Sequence, residues 1–167
     1  MAEGPYGSPD RSNAMSEAVG RLEDVRVLIV DDDRDVLDSI DVAFQSEGAL
    51  TALAMDGAEA VKICQDDPPD LVVLDMMLPK RSGFLAVEKI KGNEDSPVVI
   101  MVTANEGKRH QAYAESLGVD RYMLKPVPLE KLLEAAVELL KARGPIKRKP
   151  RPVDETDPEG DNSGNDE

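Results

Sequence analysis

Between about Arg21 and Arg143 the apolar and polar positions alternate between two kinds of segment. The first kind is short, apolar or β-branched, and bounded by Asp, Gly or Pro: VRVLIV (25–30), LTALA (50–54), DLVVL (70–74), PVVIMV (97–102) and DRYML (120–124). Such runs predict strands. The second kind repeats its apolar residues at helical spacing. After Asp33, the residues Val36, Leu37, Ile40, Ala43 and Phe44 form one face of a helix that Gly48 stops. GAEAVKIC sets Ala60, Val61 and Cys64 on one stripe, and Ser82 is placed to cap a helix carrying Phe84, Val87 and Ile90. A more polar helix runs from Lys108 to Leu117 and ends at Gly118. The last begins near Leu129, carries Leu132, Leu133, Ala136, Val137 and Leu140, and stops at Gly144-Pro145.

Five strand-helix units in succession predict an α/β fold: a five-stranded parallel sheet, doubly wound, with five helices on its two faces. The first, third and fourth strands are nearly unbroken apolar runs, as strands covered on both faces should be, whereas LTALA is weaker and suits an edge. Composition shifts at both ends. Residues 1–20 are small-residue-rich with no sustained apolar period, and residues 144–167 are Pro-rich, first basic and then acidic. Both are expected to be disordered tails around a domain at 21–143. Met15, preceded by SNA, is an alternative start.

Charge and cysteine content narrow the function classes. A net charge of −14 disfavours direct DNA binding, which draws on clustered Lys and Arg. No apolar run approaches the roughly 20 residues of a membrane helix, and the N-terminus lacks a signal-peptide pattern. The single Cys64 allows no internal disulfide. A cytoplasmic protein without membrane insertion is expected.

In open parallel sheets ligands bind beyond the carboxyl ends of the strands, where strand order reverses. Those positions hold Asp31, Asp32 and Asp33 after the first strand, Asp75 after the third, Thr103 after the fourth and Lys125 after the fifth. Ionised carboxylates brought within a few ångströms repel by about 1 kcal/mol per pair in water and several times that when partly buried. Lys125 supplies one balancing charge, and a hard divalent cation supplies two more. Mg²⁺ suits few carboxylates together with phosphate oxygens. A carboxylate beside Mg²⁺, a lysine and a hydroxyl is equipment for phosphoryl transfer onto aspartate.

LIVDDD (28–33), LVVLDMMLPKRSG (71–83), VTA (102–104) and YMLKP (122–126), in this order and spacing, resemble the receiver domain of two-component response regulators, over about residues 24–142. The resemblance implies a flavodoxin-like sheet of strand order 2-1-3-4-5. It implies that Asp75 accepts a phosphoryl group from the phosphohistidine of a sensor histidine kinase or a histidine phosphotransfer protein. Asp32, Asp75 and the Met77 backbone carbonyl then ligate Mg²⁺, with Asp31 acting mainly through water. Lys125 pairs with Asp75 and then with a phosphoryl oxygen, and Thr103 hydrogen-bonds another. Tyr122 turns inward as Thr103 moves, altering the face of the fourth helix, fifth strand and fifth helix for a downstream protein target. Pro79 and Gly83 shape the phosphoacceptor loop, and the Lys125-Pro126 bond is cis. The chain is then a phosphoacceptor taking part in its own phosphorylation and dephosphorylation, not an enzyme in the ordinary sense, and is expected to stand alone without an output domain, acting by protein binding or as a step in a phosphorelay.

Each residue has a plainer role to weigh. The Asp31–Asp35 run would serve to cap the first helix, as Asp33 and Asp35 are expected to do. It also imitates a calcium loop, but Val36 stands where that loop needs Gly. Thr103 would be an ordinary strand-end hydroxyl, Lys125 a surface lysine and Tyr122 a packing residue. His110 is read as a solvated histidine, Cys64 as a small hydrophobe, and KRKPRP (147–152) as a solvated run following a helix end. Departures from the family pattern are the basic Lys80 and Arg81, and Pro128 at the last helix start. Met77 and Asn105 resemble the pair that tunes phosphate loss. Two rivals remain: a receiver-like scaffold that works without phosphorylation, and a haloacid-dehalogenase-like phosphohydrolase using D-x-D (31–33) with Asp33 as general acid.

Overall fold

A computed structural model describes residues 4–7, 20–80, 82–104 and 107–144. Its elements run β1 (Arg26–Val30), α1 (Arg34–Ser46), β2 (Leu50–Ala54), α2 (Gly57–Asp66), β3 (Leu71–Leu74), α3 (Gly83–Ile90), β4 (Val98–Thr103), α4 (Lys108–Ser116), β5 (Arg121–Leu124) and α5 (Leu129–Arg143). All strand pairs are parallel, in the order β2-β1-β3-β4-β5. The chain leaves β1 toward β2 and returns to its other side with β3. Strand order therefore reverses between β1 and β3, which opens a crevice above their carboxyl ends.

Side chains alternate across the sheet with a period of two, so each central strand feeds two cores. Val27 and Ile29 of β1, Leu71 and Val73 of β3, and Ile100 and Val102 of β4 pack with Leu37, Ile40 and Phe44 of α1 and Leu132, Leu133 and Ala136 of α5. The alternate residues Leu28, Val30, Val72, Leu74, Val99 and Met101 face Ala60 and Val61 of α2, Ala86, Val87 and Ile90 of α3, and Ala114 of α4. Cys64 lies partly exposed at the rim of this second core rather than within it. β2 and β5 are the two edges, and β5 is the less covered of them, with Leu124 44% exposed.

Helix starts follow local chemistry. Asp33 caps α1 by accepting the Asp35 and Val36 N–H groups, Asp56 caps α2 by accepting Glu59 N–H, and Ser82 caps α3 by accepting Leu85 N–H. Asp35 sits in the first turn of α1, where a negative charge complements the helix dipole. Pro128 is the N-cap of α5 and makes no side-chain capping bond.

Two differences from the sequence-based expectation have clear causes. Asp70 and Asp120 precede β3 and β5 rather than beginning them, because each carboxylate takes a neighbouring strand's first free donor. Asp70 accepts Arg26 N–H at 2.8 Å, and Asp120 accepts both Val99 N–H and the Lys91 ammonium at 2.8 Å. The second difference is at the N-terminus. Residues 4–7, placed by composition in a tail, lie against the domain: Gly7 pairs with Thr51 of β2, and Tyr6 packs at the rim of the second core. Arg81, Asn105, Met15 and the KRKPRP run lie outside the described residues.

Phe44 is the largest fully buried side chain, touching the core between α1 and the sheet. Phe44→Ala is expected to lower unfolding free energy by about 3–5 kcal/mol, read as a shift in the urea midpoint at unchanged slope.

Candidate functional site

The crevice above β1 and β3 receives Asp31, Asp32 and Asp75 because each follows a strand immediately. Asp31 is 3% and Asp75 7% exposed, while Asp32 projects into solvent. Their backbones are fixed by the sheet: Asp31 N–H donates to the Ala54 carbonyl and Asp75 N–H to the Val30 carbonyl, both at 3.1 Å. One carboxylate oxygen of each is taken by a turn two residues on. Asp31 Oδ1 accepts Asp33 N–H at 2.9 Å, and Asp75 Oδ1 accepts Met77 N–H at 3.0 Å.

The other two oxygens share one cation. Lys125 Nζ lies 2.7 Å from Asp31 Oδ2 and 2.8 Å from Asp75 Oδ2. Lys125 reaches them from the end of β5, where its own N–H donates to the Thr103 carbonyl at 2.9 Å and the following bond to Pro126 is cis. Burial works to lower the pKa of this ammonium. Its hydrogen bonds to Asp31 and Asp75, with their charges, more than offset that and hold it above the ordinary lysine value.

Thr103, the last residue of β4, is fully buried. Two residues back on β4, Met101 is in register with Tyr122 of β5, whose ring packs at the second core. Burial raises the Tyr122 phenol pKa, and the negative charge of Asp75 raises it further, so the ring lies within electrical reach of the crevice.

The loop after β3 is fastened at three points. The Pro79 carbonyl accepts Gly57 N–H at 3.4 Å, and Lys80 Nζ stands 3.4 Å from Asp56 Oδ2 at the start of α2. Gly83 N–H donates to the Met76 carbonyl at 2.8 Å. A Cβ on Gly83 would stand 2.6 Å from both the Asp75 carbonyl oxygen and Met76 Cα, so only glycine lets α3 start this close to Asp75. The Met77 side chain is 67% exposed.

One ligand oxygen from each of Asp31, Asp32 and Asp75 lies within 4.8 Å of the others, so the donor set fits a hard divalent cation. Three carboxylates against one ammonium leave two negative charges uncompensated, and each bonded carboxylate oxygen retains a lone pair. Asp33, needed as general acid in a dehalogenase-like site, is instead turned toward the α1 backbone. His110 is exposed on α4 and stacks on Phe84, with ring centroids 6.0 Å apart. Sequence reasoning paired Lys125 with Asp75 alone. That Asp31 shares it follows from the adjacency of β1 and β3, which no local motif carries.

Lys125→Met is expected to destabilise the metal-free protein by about 1–3 kcal/mol at pH 7, as carboxylates lose a charged partner. The raised folded pKa makes this contribution fully present below the unfolded value of about 10.4 and lost as pH rises through the higher folded value. Denaturation curves of wild type and variant should therefore differ by a constant amount from neutrality to about pH 10 and converge above it. Gly83→Ala should cost about 1–3 kcal/mol by pushing backbone against Asp75, read as a lower urea midpoint.

Residues 27–137 match the family described as the response regulator receiver domain. Among curated relatives, the response regulator MprA of Mycobacterium tuberculosis is 35% identical over 121 residues, covering 72% of this chain and 53% of the relative. The chain thus spans about half the length of the curated relatives it matches. A CheY-like receiver domain protein from Methanospirillum hungatei superposes with TM-score 0.68 at 30% identity, covering 72% of this chain and 97% of the other. A chain of the CheX-CheY-BeF3-Mg+2 complex from Borrelia burgdorferi gives TM-score 0.64 at 28% identity, covering 69% and 88%. With the family's fold over most of the described residues and its sequence match across 27–137, the chain belongs to the response regulator receiver domains.

Proposed function

We propose that this domain accepts a phosphoryl group on Asp75 from the phosphohistidine of a sensor histidine kinase or histidine phosphotransfer protein, and signals by the change of surface that follows. The observation that carries it is the shared lysine: Asp75 is nearly buried, and its carboxylate is paired with a cation it divides with Asp31. An Asp75 oxygen would attack phosphorus, forming an O–P bond as the P–N bond to the donor imidazole breaks and the ring keeps the electron pair. Lys125 then exchanges one carboxylate contact for a phosphoryl oxygen, and Thr103 donates its hydroxyl to another.

Asp31, Asp32, Asp75 and the Met77 backbone carbonyl are the groups assigned to hold Mg²⁺, the ion named with the Borrelia CheY complex. When bound it supplies positive charge for the oxygens of the transferring group. Residues outside the metal set carry the response. The product bears about −1.5 to −2 charge in place of one. Tyr122, at the edge of the second core, is assigned to follow Thr103 inward and alter the face of α4, β5 and α5 toward a protein target. Pro79, Gly83 and Pro126 set the loops that carry these groups.

A domain of this kind is a phosphoacceptor rather than an enzyme acting on other substrates. A cytoplasmic location is part of the same reading. Among the described residues no helix is long and apolar enough to cross a membrane. The net charge of −14 argues for a protein rather than a nucleic acid as the target.

Intact-mass measurement after incubation with Mg²⁺ and acetyl phosphate tests the proposal directly. The expected result is a labile gain of one phosphoryl group that disappears with Asp75→Ala or a chelator. A folded protein that gains nothing in any arm would overturn it in favour of a scaffold that acts without phosphorylation.

A further inference from the structure

The outer edge of β2 is an end of the sheet, and at Thr51 it is paired by a residue from outside the sheet. Gly7 N–H donates to the Thr51 carbonyl at 2.9 Å in an antiparallel bridge. One residue earlier, the Tyr6 hydroxyl donates to the Asp67 carbonyl, also at 2.9 Å, at the C-terminal end of α2. The Tyr6 ring joins Ile63 and Cys64 at the rim of the second core. Above the ring, 5.9 Å from its centroid, stands the Arg26 guanidinium, itself held by Asp67 Oδ1 at 2.9 Å. A main-chain bond, a hydroxyl bond to a helix end and a cation over a ring thus converge on two consecutive residues.

This combination is how extended peptides are recognised at sheet edges: main-chain pairing gives affinity, and a side-chain anchor gives specificity. A tyrosine suits the anchor because it offers a large apolar ring and one polar tip. We propose that the outer edge of β2, with the Arg26–Asp67 rim, is a docking site for a short extended peptide anchored by tyrosine, and that this chain's own residues 4–7 are its occupant. Being on the same chain, the segment binds at high effective concentration. It closes an edge otherwise open to pairing with another strand. It also bears on the strand whose last residue, Ala54, supports Asp31 through its carbonyl.

The test uses the full chain, Tyr6→Ala, and Tyr6→Phe, which keeps the ring and loses the hydroxyl bond. Cys64 is the chain's one cysteine, so its rate of reaction with a thiol reagent reports whether the ring is in place. Docking predicts at least about a fivefold faster reaction for Tyr6→Ala, as expected for losing anchoring contacts, and a smaller rise for Tyr6→Phe. Amide resonances of Thr51 and Asp67 should shift in Tyr6→Ala. A synthetic peptide of residues 1–10, added to Tyr6→Ala, should slow Cys64 again and reverse those shifts, while the same peptide carrying Tyr6→Ala should not. Equal rates and spectra for wild type and Tyr6→Ala would overturn the proposal, as would a peptide without effect at millimolar concentration. A wild-type dimer abolished by Tyr6→Ala would overturn occupancy by the chain's own segment and assign it to a second copy.

Discussion

The Lys125 ammonium, divided between Asp31 and Asp75, is the contact on which the arrangement of the site depends. Carboxylates about 4 Å apart repel by about 1 kcal/mol in water and about 4 kcal/mol near a protein surface. Asp31 and Asp75 are nearly buried, so their repulsion is poorly screened. A cation supplied from the end of β5, two strands away from β3, balances part of that charge, and it reaches the pair because β4 and β5 run two residues past the ends of β1 and β3 in the sheet register. Two negative charges are left without a protein partner among the described residues, which makes the crevice suited to a divalent ion.

Holding like charges together requires backbone that cannot relax. Asp31 and Asp75 hang from the sheet by their own amides, on β2 and β1 respectively, so neither can swing away without breaking a ladder bond. The strands beneath are buried on both faces, and α1 and α5 on one side and α2, α3 and α4 on the other clamp them. Gly83 adds a further constraint, since it sets the start of α3 against the Asp75 carbonyl with no room for a methyl group. The double-sided core is what holds these charges close together.

Strands, helices and their order were legible because the hydrophobic period is nearly free of exceptions: the unbroken runs in β1, β3 and β4 have no other use than a sheet covered twice. The site was legible for a related reason, since chemistry in such a sheet collects at strand ends and those ends carry Asp31, Asp32, Asp75, Thr103 and Lys125. What could not be read depends on pairings between distant positions. Asp70 and Asp120 looked like strand residues because an acid that takes a neighbouring strand's N–H has no local signature. The sharing of Lys125 with Asp31 requires knowing which strands are adjacent. Tyr6 was passed over because a single aromatic among small residues has no periodicity, although an isolated tyrosine in such surroundings is itself a signal.

Burial is uneven across the sheet, and the unevenness bears on where a change of charge at Asp75 would be felt. β3 and β4 are buried at every residue, whereas each residue of β5 is at least partly exposed. Closely packed strands transmit force but resist rearrangement, so a response is drawn to the elements with least to lose. β5 is such an element, and it leads directly into Lys125, whose contacts with Asp31 and Asp75 would redistribute if Asp75 gained a phosphoryl group. Tyr122, within β5, lies three residues before Lys125 and within reach of the charge of Asp75. The lysine that balances part of the site's charge thus directly follows the least buried strand of the sheet, which also carries Tyr122.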